Sequence, residues 1–464
     1  MMTDNTDTLL ERFADFFCKI RYEDLPAAVV QKTKMLTIDL IGVSIAGLKM
    51  EFPRLSIDYL ASLKGIEEAS LFGVRHKVPA IHAALGNGIS AHALDMDDGY
   101  RYGGVHAGVA VIPAAIAFAE ARNLGGKDVI LAIAMGYEII NRLAKAMNPS
   151  HLNRGFHTTG TLGVLGAAAA CGILAGLNKR EMTSALGISA LQGAGLLEIL
   201  NDGAMVKPLH PGKAAMAGVL SVEMAKRGAK GPATALEGSK GLFKAMADEV
   251  NTAELFAGLG TNFYIMDQYI KLHAACRHIH PTVDGLLSVM NENKLEFADI
   301  DTIDVATYPV ATSFCGSSHL PDTAEGAKFS IAYSTAMAAY YGDVSEERYV
   351  QSVVTNTEIQ ELARRITSRT DDKWAQAYPR ERGATIAIKS QNGDSYTVVV
   401  PLAKGEPENP ATDSDFIAKF RQNCNGQPTS TSESILKTIL DFDVHPVGDL
   451  TKLMNELNHQ AAAN

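Results

Sequence analysis

The fold class that the sequence predicts is mainly α with an α+β part: a large all-helical domain plus a smaller inserted α+β lid domain. Three observations predict it. From Thr8 to about Gly260 apolar residues recur at helical spacing, rich in Ala and Leu and poor in β-branched alternation. After Lys271 strand and hairpin signals enter. From Asn409 amphipathic helical stretches return, and these are expected to pack back on the first domain. A chain of 464 residues exceeds one ordinary domain. The expected division is 1–270 for the first part of the helical domain, 271–404 for the α+β unit and 405–464 for the returning helices.

In chain order, helices are expected over 9–18, 29–46, 81–93, 109–122, 127–147 and 160–176. Runs such as Gly166-Ala-Ala-Ala-Ala170 let helices approach closely, so a crowded helical core is expected. Gly/Pro-containing breaks fall at 98–108, 149–160 and 201–212, where amides at helix N-termini are available to an anion. In the second unit, 300–311 reads as a strand. Stretches 384–390 and 396–402 flank Gln391-Asn-Gly-Asp394, a hairpin signal. Helices are expected over 327–341, 358–367, 413–424 and 432–442, with a polar surface loop at 425–433.

Composition narrows the function classes. The net charge is −10 with no basic block, so nucleic acid is not an expected partner. An acidic chain that binds an anion must gather positive charge locally, which directs attention to Lys207, Lys213 and Lys271. The five cysteines (Cys18, Cys171, Cys276, Cys315, Cys424) are scattered and odd in number, which suits a reducing compartment and offers no Cys-only metal motif. The polar, acidic start Met-Met-Thr-Asp-Asn-Thr-Asp lacks the regions of a signal peptide. The longest apolar run, 161–177, is short and Gly/Ala-rich for a membrane span. A cytoplasmic protein without a membrane partner is expected.

Three polar segments interrupt this apolar chain: His92-Ala-Leu-Asp95-Met-Asp97-Asp98 running on to His106, Gly155-Phe-His157-Thr-Thr159-Gly160, and Lys207-Pro-Leu-His210-Pro-Gly212-Lys213. Asp95, Asp97 and Asp98 lie too close together to converge on a cation without a specialised loop, so no metal is expected there or at His278-x-His280. Asp97 and Asp98 read as helix caps or partners of Arg101, and Asp95 as a residue turned inward to a site. His82, His151, His319, His445 and His459 read as structural. His106 and His157 each stand in a glycine-containing break before a helix, where an imidazole can do acid/base work. Lys207, biased to an extended backbone by Pro208, either meets a substrate carboxylate or is a solvated surface lysine. No Walker A loop, dinucleotide fingerprint or Gly-x-Ser-x-Gly elbow is present.

These motifs resemble the MmgE/PrpD family, which includes 2-methylcitrate dehydratase, cis-aconitate decarboxylase and iminodisuccinate epimerase. The likeness continues through Gly231-Pro, Leu236-Glu-Gly238, Lys271 with Cys276-Arg-His278-Ile-His280, and Phe329-Ser-Ile-Ala-Tyr333. It implies a homodimer with the active site between the helical and lid domains, acting on a small di- or tricarboxylate without a cofactor. Carried over residue by residue, it implies catalytic roles for Asp95, His106, His157 and Lys207 and substrate binding by Lys271 and Tyr333. At the position five residues after Lys271, where the decarboxylase pattern has a histidine, this chain has Cys276, taken as a further substrate contact.

The implied chemistry is proton transfer next to a carboxylate. Lysines offset the charge, His106 and His157 exchange the proton, and Asp95 orients a histidine. A dehydratase of the 2-methylcitrate type is the first expectation for this lyase. Epimerisation and decarboxylation are alternatives, and a non-catalytic carboxylate binder is the reading from another class.

Overall fold

The computed structural model describes residues 7–200, 204–317 and 319–457. Residues 201–203 of the third break, and His459, therefore lie outside the described residues. The chain divides into two compact units. One brings together the described residues up to Ala93, Asp97–Gln268 and Thr412 onward; the other comprises Leu94–Met96 and Tyr269–Ala411.

The first unit is built from helices Ala27–Gly47, Ala80–His92, Gly108–Glu120, Gly126–Met147, Thr158–Leu174 and Leu209–Lys226, with Asp413–Asn423, Thr429–Leu440 and Val447–Asn455 from the tail. Gly108–Glu120 is buried along its whole length, and in Thr158–Leu174 only Ile173 is not. A helix buried all round reads apolar all round, so these segments carry little amphipathic signal. Small residues make the packing possible. A Cβ on Gly218 would fall 2.4 Å from the Cβ of Ala167, and one on Gly88 would fall 2.8 Å from the Cα of Gly212. The second contact brings together the two helices that carry His92 and His210. Among the described residues no helix is long and apolar enough to cross a membrane.

The second unit holds a four-stranded sheet in the order Ile366–Thr370, Ile300–Thr307, Ala384–Ser390, Ser395–Val400. The first two strands pair in parallel, with Ile303 opposite Ile366, and the other pairings are antiparallel. Helix His280–Asn293 lies on the sheet through Gly285, where a Cβ would come 2.6 Å from Cδ1 of Ile386. The unit's two ends meet, since the Ile270 N–H donates to the Gly405 carbonyl at 3.0 Å.

Several elements differ from expectation. The strand expected over 300–311 stops at Thr307, because Pro309 opens helix Pro309–Cys315. The helix expected over 358–367 ends at Ala363, and Ile366–Thr370 is a strand. The expected loop 425–433 gives way from Thr429 to helix Thr429–Leu440. Helices Glu51–Ser62, Lys179–Ala190, His280–Asn293 and Val447–Asn455 had not been anticipated.

Candidate functional site

His92 is the last residue of helix Ala80–His92. The chain then turns through Asp95, whose φ of 54° is left-handed, and closes a loop in which the Tyr100 N–H donates to the Val105 carbonyl at 2.8 Å. This loop, eased by Gly104 at φ 53°, returns His106 to the start of helix Gly108–Glu120. Two histidines fourteen positions apart thereby face one carboxylate. Asp97, with no exposed surface, accepts from Nδ1 of His92 at 3.0 Å and from Nδ1 of His106 at 2.9 Å. Nδ1 of His106 also stands 2.7 Å from the Asp98 carbonyl, and its backbone N–H donates to Oγ1 of Thr159 at 3.1 Å.

A carbonyl oxygen only accepts, so Nδ1 of His106 carries a hydrogen, and the ring's other nitrogen, Nε2, is the one left to exchange a proton. The same logic fixes His92, whose Nε2 is buried without a hydrogen-bond partner. Burial, opposed by Asp97 and reinforced by the charge of Lys207, pushes His92 down to about 4, so this ring is neutral. Burial alone would raise Asp97, but the two imidazoles outweigh it and hold its carboxyl well below the usual range. His92, Asp97 and His106 each bring one ligand atom within 4.8 Å of the others, a spacing a metal ion could use. In the arrangement shown both imidazoles turn Nδ1–H to Asp97, so an ion held there would displace those hydrogens.

Asp98 behaves oppositely to Asp97. Burial, with the charges of Asp97 and Asp39, pushes its carboxyl up to about 8, so it is protonated at neutral pH. The Tyr137 hydroxyl lies 3.2 Å from its Oδ1. A side chain at Gly108 would intrude here, its Cβ only 2.3 Å from that oxygen.

His157 occupies the N-cap position of helix Thr158–Leu174 and is 6% exposed. Its Nδ1 lies 2.9 Å from Nδ1 of His210, on the first turn of helix Leu209–Lys226. The ring centroids of His106 and His157 are 5.1 and 6.0 Å from that of His92, so the three imidazoles form one cluster. Burial, then the charges of Lys207 and the neighbouring histidines, hold His157 well below its ordinary value. Lys207 stands in a turn, not in the extended form expected, and its carbonyl accepts from the His210 N–H at 3.2 Å.

In the second unit Lys271 is 2% exposed and donates to Asp95, to Oδ2 at 2.8 Å and to the carbonyl at 2.5 Å. Cys315 lowers the Cys276 thiol against the effect of burial. Nδ1 of His278 meets the Tyr308 hydroxyl at 2.5 Å, and both ring nitrogens of His280 are taken, by Ala275 and Arg277. The Tyr333 hydroxyl donates to the Val353 carbonyl at 2.8 Å.

The structure thus gathers His106 and His157 with the charge of Lys207, and separately pairs Asp95 with Lys271. Two expectations change. The carboxylate that orients histidines is Asp97; Asp95 is engaged by Lys271. Asp97 is also no helix cap, because the loop closed at Tyr100 and Val105 delivers a second imidazole to it. His92 and His210 join this cluster; both stand in the polar segments of the sequence, although sequence reasoning gave neither a role. The five-residue step from His92 to Asp97 across a helix end was the available signal for the first.

Comparison with known proteins bears on this arrangement. The model of the MmgE/PrpD N-terminal domain matches residues 11–254, and that of the C-terminal domain matches residues 273–442. A cis-aconitate decarboxylase of Aspergillus terreus is 27% identical over 460 residues, covering 94% of this chain and 93% of the relative. The human cis-aconitate decarboxylase is 23% identical over 467 residues, covering 96% and 94%.

Proposed function

Because the chain belongs to the MmgE/PrpD family, we propose that it is a lyase that moves a proton at a carbon next to a carboxylate, with decarboxylation of a cis-aconitate-like tricarboxylate as the first reading. The observation that carries the proposal is the fixed tautomer of His106. With Nδ1–H held by Asp97 and the Asp98 carbonyl, Nε2 is the atom at which this ring exchanges a proton with the substrate. His157 is the second proton carrier. Lys207 supplies positive charge where a carboxylate substrate gains charge on deprotonation. We extend the proposal to Lys271 as a carboxylate ligand, with Cys276 and Tyr333 as further substrate contacts. The chemistry asks for no cofactor, because every step is a proton transfer or the loss of carbon dioxide.

The relatives named as decarboxylases favour this order over dehydration. Dehydration of a 2-methylcitrate-like acid stays as a second reading, because Ala274-Ala-Cys276 departs both from the histidine of the decarboxylase pattern and from the Pro-Ala-Glu of the dehydratases. Homodimerisation is part of the proposal, supported by the exposed apolar side chains Leu191, Leu196, Met205 and Leu209 within one stretch of chain. The free state of all five cysteines supports a reducing, cytoplasmic setting.

The test is proton NMR in deuterated water with cis-aconitate, 2-methylcitrate, citrate and iminodisuccinate. Deuterium entering at a carbon beside a carboxylate is expected, with loss of carbon dioxide from cis-aconitate. Conversion of 2-methylcitrate alone would move dehydration to first place. Absence of both exchange and conversion across the panel overturns the proposal.

A further inference from the structure

The contact between His157 and His210 is unusual in joining like atoms. Two Nδ1 nitrogens 2.9 Å apart can share one hydrogen and no more, since two hydrogens would repel and none would leave lone pairs opposed. Neither ring is disposed to take a second proton. Burial lowers both, Lys207 adds to this for both, Lys213 adds to it for His210, and His92, His106 and His210 itself add to it for His157. The position of that one hydrogen decides what His157 can do. When His157 donates it, its Nε2 carries a lone pair and is a base. When His210 donates it, Nε2 of His157 carries a hydrogen and is an acid. The two rings also differ in access: His157 is buried, whereas His210 is half-buried.

We propose that His210 is a positioning residue that sets the tautomer of His157 and keeps that ring neutral as it delivers a proton, an inference that rests on the proton chemistry proposed above. In the delivering step the Nε2–H bond of His157 breaks as a C–H bond forms on the substrate carbanion. The hydrogen on Nδ1 of His210 passes to Nδ1 of His157, and a solvent proton adds to Nε2 of His210, which leaves the pair in its other tautomer with Nε2 of His157 bare. The pair resets when Nε2 of His157 takes a proton, the shared hydrogen returns to Nδ1 of His210 and Nε2 of His210 releases its proton to solvent. One proton enters for each C–H bond made, both rings stay neutral overall, and no electron is gained or lost. The neighbouring geometry supports a held pair. The backbone N–H of His157 donates to the Gly195 carbonyl at 3.0 Å, and a Cβ on Gly195 would lie 3.2 Å from Nδ1 of His210.

Two measurements on the full-length protein test this. In the first, His210→Ala and His210→Asn are assayed on the acid that the wild type converts. The expected result is a kcat lower by about 100-fold or more with KM within about twofold, and recovery of kcat by added imidazole in His210→Ala only. A folded His210→Ala that imidazole does not rescue, or a rise in KM at unchanged kcat, overturns the inference. The second is 15N NMR of histidine-labelled wild type, which reads the pair without any substrate. A coupling between the two Nδ1 nuclei across one shared hydrogen is expected, and its absence overturns the inference. If the wild type converts no carboxylate, the functional reading fails, while the NMR result still decides whether the shared proton exists.

Discussion

Asp98 offers a perturbation whose size follows from the site. Its carboxyl is held up at about 8, against 3.8 for an unstrained aspartate, by burial and by Asp97 and Asp39. The unfolded chain loses this proton near pH 4 and the folded chain keeps it to about pH 8. Between those values the folded state binds more protons, so stability falls as pH rises. That stability is fully present below the unfolded pKa and is lost by the folded one. Each pH unit is worth about 1.4 kcal/mol, and about four units give a loss on the order of 5 kcal/mol. Asp98→Asn removes the titration and keeps the shape. Its stability relative to wild type should therefore rise steadily from pH 4 to 8 and level off above. Urea unfolding of both proteins at half-unit steps between pH 4.5 and 8.5 measures this. A difference that stays constant with pH would refute the reasoning, because it would mean that Asp98 does not hold its proton on folding.

Asp97→Ala should abolish most activity, with kcat down by about 1000-fold or more, as expected when a histidine loses the carboxylate that fixes its tautomer. It should also destabilise the protein by about 2–5 kcal/mol, since it strands the buried Nδ1–H of His92; steady-state kinetics and urea melts read the two effects. Lys271→Met should cost about 3–5 kcal/mol by breaking the buried pair with Asp95, and Asp95→Asn in the same chain should recover part of it. A double-variant cycle showing no coupling between the two positions would contradict the pairing, and on the proposed function KM should rise in both Lys271 variants.

His106, His157 and Lys207 were legible in the sequence because each stands in a Gly- or Pro-broken stretch between apolar helices, where a polar group is conspicuous. Asp97 was not, because a carboxylate just beyond a helix end suits a cap equally well. What distinguishes it is the bridge between Tyr100 and Val105, a loop closure that leaves no periodic trace. Helix Lys179–Ala190 was legible and passed over: Asn178 and Glu181 form a capping box at its start. Strand Ile366–Thr370 is a different case. Its first residue, Ile366, pairs with Ile303 of the parallel partner, more than sixty residues earlier, so the pairing that makes it a strand is not local. The hairpin was visible because its turn chemistry is local, and the observed strands Ala384–Ser390 and Ser395–Val400 lie within two residues of the expected ends.

The anchors of the two proposed proton carriers are not alike, and the difference separates their roles. Nδ1 of His106 faces a backbone carbonyl and a carboxylate held far below its ordinary range, neither of which takes up its hydrogen. That ring can exchange protons only at Nε2, which suits a base that receives a proton and later returns it. Nδ1 of His157 faces another imidazole, which can both give and take. On the proposed relay, such a connection both sets the tautomer of His157 and lets a proton be brought in. Dehydration does not require it, because the proton taken from carbon can leave with the departing hydroxide. Decarboxylation does require it, because the carbon that loses carbon dioxide, or its allylic neighbour, must gain a hydrogen that the substrate does not supply. On the proposed relay, the like-to-like histidine contact therefore suits decarboxylation.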